Sequence, residues 1–259
     1  MKRLVGIVIL AVIGVYLWRR HFADLFQAKG DQVKESLEEV RLKNEIGNDK
    51  RSVWLAHQFP NLSVGDTPYA GVPLNAAAQK VADAWDPAKD EAAGEQCRAY
   101  GAANIMRVPG RVRITWKDDQ TLLIDSDAGM QTRVLSFGAP AAKGRDWQGN
   151  SLASWDAVIV RRGALAGLIP GMPALTGSLK VVTTNMRPGY LRKNGVPYSE
   201  KTVLTEYFDR VNEPGGDAYL IVTTTIEDPT YLNEPYLYST HFKKQADATG
   251  WNPTPCSAR

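Results

Sequence analysis

Between Arg111 and Phe137 apolar and polar positions alternate. Val112, Ile114 and Trp116 interleave with Arg111, Arg113 and Thr115, the period of two that a strand with one buried face imposes. Lys117-Asp118-Asp119-Gln120 predicts a turn, Leu122 and Ile124 resume the pattern, Asp127-Ala128-Gly129 predicts a second turn, and Thr132–Phe137 a third strand. A β-meander is expected here. Five further strands are predicted at about Asn150–Trp155, Ser178–Asn185, Thr202–Val211, Ala218–Glu227 and Pro235–Lys243. Asn212-Glu213-Pro214-Gly215-Gly216-Asp217 has the Pro and Gly residues that a hairpin loop requires. The fold class expected is mainly β: about eight strands in an antiparallel up-and-down barrel of the calycin or lipocalin-like kind, or a closely related sandwich. Eight strands leave room for one small ligand.

The chain before the barrel divides by composition. Met1-Lys2-Arg3 precedes an uninterrupted apolar run, Leu4 to Trp18, closed by Arg19-Arg20. As a helix it rises about 22 Å, short of the roughly 30 Å hydrocarbon core, so snorkelling flanks or local thinning must help it span. Residues 1–20 are therefore expected to be a transmembrane signal-anchor, with residues 4–18 in the membrane. A cleaved signal peptide is the alternative, against which stand the basic residues directly after the run and Phe26 two positions before Ala28. Residues 21–50 are strongly charged; Asp31 as N-cap, the spacing of Val33, Leu37 and Val40, and Gly47 as a stop predict a helical stalk. Residues 51–96 are expected to be an extended linker with a short helix, the linker being Arg51 to Pro73, which contains Pro60, Gly65, Pro68, Gly71 and Pro73. A short helix follows at about Asn75 to Trp85, capped by Asn75 and stopped by Pro87, packed on the barrel of residues 97–259. The protein is thus expected at a bacterial inner membrane with the bulk of its chain in the periplasm.

Composition narrows the function classes. Hydrophobic residues at 44% and charged residues at 23% predict a packed core. A net charge of +3, with basic residues flanking the apolar run, points to no nucleic-acid partner. Cys97 and Cys256 have neither CxxC nor zinc spacing; in an oxidising compartment they would close a loop of about 160 residues, the alternative being two unrelated thiols. His21, His57 and His241 lie far apart, so no metal site is predicted. The chain has no GxGxxG after a strand, GxxxxGK[ST], HExxH or GxSxG, so no cofactor and no catalytic residue are assigned.

Strand faces single out a group of charges. If Leu135 and Phe137 point inward, period two carries Arg133 inward; if Leu204 and Phe208 do, Glu206 and Arg210 follow. Charges inside a barrel are costly unless paired or used. They are either a buried ion pair holding register or the polar end of a ligand site, in which an arginine left over from pairing meets an anion. A Pro/Gly-shaped loop, Arg187–Tyr198, adds Arg187, Tyr190 and Arg192 as handles at a barrel mouth, and His241 lies on the last strand. Ala157–Thr176 is apolar and broken by Gly and Pro. It reads as a lid, a surface dipping into the bilayer, a partner contact, or a segment packed on the barrel.

Cys97–Arg111, Asp125–Arg133, Leu191–Ser199, His241–Lys244 and Trp251–Cys256 resemble a family of uncharacterised exported bacterial proteins with a predicted lipocalin-like β-barrel, over about Pro73 to Cys256. Ala157–Thr176 is longer and more hydrophobic than that family implies. The resemblance carries no activity and transfers no site residue. Two functions follow as expectations: an envelope-facing barrel that binds a small, largely apolar ligand, and an accessory subunit docking on a membrane complex through its stalk and insertion. An enzyme acting on a lipid-like or aromatic substrate through Glu206 or His241 is a third.

Overall fold

Alternation places strands where it predicts them, and the strands bury the faces it assigns. The computed structural model describes residues 51–57, 69, 71–139, 144–160 and 174–258. Its strands are β1 (Arg51–His57), β2 (Arg111–Asp118), β3 (Thr121–Ser126), β4 (Gln131–Ser136), β5 (Asn150–Val160), β6 (Ala174–Thr184), β7 (Gly189–Tyr190), β8 (Pro197–Tyr198), β9 (Val203–Asn212), β10 (Ala218–Glu227) and β11 (Tyr236–Lys244). The predicted apolar run at 4–18 and the stalk at 21–50 lie outside the described residues. Among those described, no helix is long and apolar enough to cross a membrane.

Eight strands form one curled sheet in the order β11-β10-β9-β6-β5-β4-β3-β2, and β1 bridges its edges to make a barrel. One side of β1 pairs with β11 from Trp54↔Lys244 to His57↔His241, and the other with β2 from Arg51↔Thr115 to Leu55↔Arg111. Composition reads Arg51–His57 as part of a linker; it is a barrel strand instead. Val53-Trp54-Leu55-Ala56 is a continuous apolar run, which alternation cannot recognise as a strand.

The sheet is mixed, not purely antiparallel. β4 and β5 run parallel through Leu135↔Ser151 and Ser136↔Leu152, while the other barrel pairings are antiparallel. The cause is the connection between them. Ala102 N–H donates to the Trp147 carbonyl at 2.9 Å, and the Gln148 side chain donates to the Tyr100 carbonyl at 2.9 Å, so this segment is tied to the helices at one barrel end. It must turn there before β5 can start alongside the end of β4. Gly149 makes that turn at φ +59°, with a Cβ position only 2.5 Å from the Thr184 carbonyl, so glycine is required.

Short helices close that end. In α1 (Ala76–Asp83) the Asn75 side chain accepts from Ala78 N–H at 3.0 Å. Pro87 does more than stop α1: it is the first residue of α2 (Pro87–Ala92), capped by Asp86, where its missing N–H costs nothing. A 3-10 turn (Arg98–Tyr100) leads to α3 (Ala102–Ile105), every residue of which is buried. α3 plugs the barrel. Below it the interior is packed with Val112, Ile114, Leu122, Leu135, Leu179, Val181, Phe208, Leu220, Val222 and Phe242, none more than 3% exposed.

After β11 the chain returns along the outside of β2. The Arg113 guanidinium lies over the Trp251 ring at 4.0 Å, Thr254 N–H donates to the Asp127 carbonyl at 2.9 Å, and Cys256 forms a disulfide with Cys97. The tail is thereby tied to the start of the helical plug.

Candidate functional site

Period two on β4 and β9 brings Arg133 and Glu206 together inside the barrel. Arg133 Nη1 donates to Glu206 Oε1 at 3.0 Å and Nη2 to Oε2 at 2.5 Å, with both side chains 1% exposed. Nη2 also reaches Thr183 Oγ1 at 3.4 Å, and the Thr183 and Ser151 hydroxyls share a bond of 2.7 Å. This bidentate geometry is the strong form of a charge-assisted pair. Opposite Glu206, Thr224 pairs in register with Tyr238 on β11. The Tyr238 hydroxyl donates to the Ala103 carbonyl of the plug at 3.1 Å, and burial raises its ionisation above the usual phenol range, against the lowering effect of Arg107 over its ring. Leu204 and Ile226 pack on the plug side of this polar layer, Phe208 and Val222 on the other.

Arg210 lies four residues along β9 from Glu206 on the same face but does not join that pair. It is half-buried, and its Nε donates to Asn212 Oδ1 at 3.1 Å. The strand ends at Asn212, so Arg210 sits in the outermost interior layer, at the mouth. Arg210 therefore lies outside the Arg133–Glu206 layer.

The loop handles occupy the plugged end. β7 and β8 form a hairpin whose turn, Leu191–Val196, is closed by Leu191 N–H donating to the Val196 carbonyl at 2.7 Å. Gly195, at φ +78°, lets the turn lie against Trp85, since a Cβ there would come within 2.2 Å of the indole side chain. Tyr190 is buried beneath the Arg98 guanidinium at 4.6 Å and donates to Asp90 at 3.3 Å. Burial pushes its phenol up to about 12. Arg187 stacks on Trp147 at 4.7 Å and pairs with Glu95 at 2.5 Å. Arg192 donates to the Tyr236 hydroxyl at 3.2 Å. The crevice among Trp85, Arg98, Tyr190 and Lys193 has a volume of about 10 Å³, enough for one water. His241 is elsewhere again: Phe242 beside it is buried inward, so period two turns His241 to the outer face of β11, where it meets Ser239 Oγ at 3.3 Å.

At the unplugged end Trp116, Phe137 and Trp155 form a stack, with ring centroids 5.4 Å and 5.5 Å apart. These partly buried rings lie on the core and close the interior from below. Sequence reading does not group them, although each ends an inward-pointing alternation. Beside them β5 and β6 leave the barrel as a pair. They stay in register from Asn150↔Thr184 to Val160↔Ala174, whereas β9 pairs with β6 only between Thr183 and Leu179, and β4 reaches β5 only at Ser151 and Leu152. Among the described residues, Ala157–Val160 and Ala174–Thr176 hydrogen-bond as strands only with each other. They form a two-stranded arm.

Comparisons with protein families, with curated proteins and with solved structures find no match to this chain.

Proposed function

We propose that the protein is a docking subunit of the bacterial envelope, tethered by residues 4–18 to the inner membrane with its barrel in the periplasm, and that the β5–β6 arm is what it docks with. The observation that carries this reading is the arm itself. An isolated two-stranded hairpin is marginal in water, yet this one continues past its last paired residues on a barrel neighbour and consists of Ala157-Val158-Ile159-Val160 and Ala174-Leu175-Thr176. Apolar strands with open edges gain from a covering partner. Beyond the arm, residues 163–173 continue an apolar sequence. The partner that fits is a membrane protein of the same compartment, with an apolar surface beside the bilayer.

The packed interior supports docking over transport of a ligand, because inward positions are filled by side chains and the two central charges satisfy one another. A carrier role remains as a second reading, moved from the interior to the mouth. Its support is the Trp116–Phe137–Trp155 stack together with Arg210, two residues beyond Phe208, which shares register with Trp155 through Leu179; these groups suit a flat apolar ligand carrying an anion.

Photo-crosslinking in the native membrane tests the docking reading. A benzophenone amino acid placed in turn at Val158 and Ile159, so that both faces of the arm are sampled, is expected to give a discrete adduct with a membrane protein. The same probe at Leu237, 65% exposed on the barrel wall, is the control. No adduct from either arm position, or an equal adduct from Leu237, overturns the assignment.

A further inference from the structure

Arg107 and Arg192 reach one oxygen atom from distant parts of the chain. Arg107, just past α3, donates from Nη1 to the Tyr236 hydroxyl at 3.0 Å, and Arg192, in the β7–β8 turn, donates from Nη2 to the same oxygen at 3.2 Å. A phenolic oxygen that accepts two N–H donors must aim its own proton elsewhere. Tyr236 is 8% exposed, and among the described residues no acceptor takes that proton. The other contacts of Arg107 are with rings: it lies over Tyr238 at 4.7 Å and Tyr236 at 5.9 Å, and it forms no ion pair with a described carboxylate. Asp228, the nearby buried carboxylate in sequence, is consumed by Ser199, Thr202 and Thr230.

We infer that Tyr236, Arg107 and Arg192 form an oxyanion site at the plugged end of the barrel, for a carboxylate or phosphate carried on an aromatic or apolar body. One oxygen of the anion accepts the Tyr236 proton, and its charge is met by the partly exposed guanidinium of Arg107 with Arg192 beside it. The Tyr236 and Tyr238 rings, 5.4 Å apart, add apolar contact that a hydrated inorganic ion cannot use. This site is independent of the arm. Sequence reading includes Arg192 but not its companions, because Arg107 and Tyr236 are 129 residues apart.

Isothermal titration of the full-length protein in detergent micelles, at constant ionic strength, tests the inference with phenyl phosphate, benzoate and inorganic phosphate. Saturable binding of at least one aromatic anion is expected, tighter than that of inorganic phosphate. Whether benzoate or phenyl phosphate binds better assigns the headgroup, and either preference supports the site. Tyr236→Phe keeps the ring and removes only the proton donor, so affinity should fall about tenfold, as should that of Arg107→Met. Arg107→Lys should retain part of it, and Lys117→Met, at an exposed position with no part in either site, should bind as the native protein does. Absence of saturable binding to the native protein overturns the proposal, as does binding that Tyr236→Phe leaves unchanged. If circular dichroism shows that Arg107→Met does not fold, the Tyr236→Phe result decides alone.

Discussion

Arg133 and Glu206 show how one pair of residues is tied to the whole wall of the barrel. Each is flanked on its strand by buried apolar residues, Leu135 on β4 and Leu204 and Phe208 on β9, and neither has water to fall back on. Removing one partner leaves a buried charge, a loss of about 3–5 kcal/mol, whereas replacing both by apolar residues of similar size removes the demand altogether. Urea denaturation should therefore show Arg133→Met and Glu206→Gln each strongly destabilised, and Arg133→Met with Glu206→Leu less so than the sum. Single variants within about 1 kcal/mol of the native protein would contradict the buried pairing. Alternation made this pair legible because Leu135 and Phe208 fix the faces of their strands. The same rule, applied through Phe242, would have turned His241 outward. It could not fix the partner of Arg210, since at a strand end a long side chain follows whatever acceptor is near.

Tyr190 supplies a second residue-scale expectation. Its folded phenol titrates at about 12 while an unfolded tyrosine titrates near 10, so the folded state holds its proton longer. The contribution is complete below about pH 10 and is lost as pH rises from there towards 12. Buried Tyr198 and half-buried Tyr238 are shifted in the same direction. Thermal melts should fall steeply over that alkaline window, with phenolate absorbance rising at the unfolding step. Tyr190→Phe should reduce the slope. Free ionisation at pH 10 without loss of structure would contradict the burial assigned to these rings.

At the scale of elements, the strands read from the sequence are the long ones with clean alternation, and the ones missed lack it. β1 is a continuous apolar run, α2, the 3-10 turn and α3 are too short for a helical period, and β7–β8 has two residues a side. The parallel β4–β5 contact was not legible at all, since it depends on where the intervening loop is anchored and not on any local pattern. The Cys97–Cys256 bond was expected, and it fixes the tail across the plug. Closing a loop with a sequence separation of 159 removes denatured-state entropy worth about 4–5 kcal/mol in the loop model. Cys97→Ser with Cys256→Ser should lower stability by up to that amount and speed amide exchange at Trp251–Cys256 first. Unchanged exchange there would show that the tail is held by its other contacts alone.

For the molecule as a whole, the fold separates a closed barrel from two strands that run past their pairing with it. The plug fills one end, the aromatic stack packs on the core at the other, and the arm adds two strands of apolar sequence that, among the described residues, pair only with each other. Sequence reading found the apolar insertion but left its fate open, because hydrophobicity alone does not tell packing on a barrel from packing on a partner. The most direct test replaces residues 158–176 by an Asn-Gly turn joining Ala157 to Gly177, which face each other in register. Native mass spectrometry of the membrane-extracted protein would then be read beside its thermal melt. The account predicts an intact, disulfide-linked barrel with native-like melting that has lost a membrane-protein subunit present with the full chain. A subunit still bound after the deletion, or a barrel that no longer folds without the arm, would contradict it.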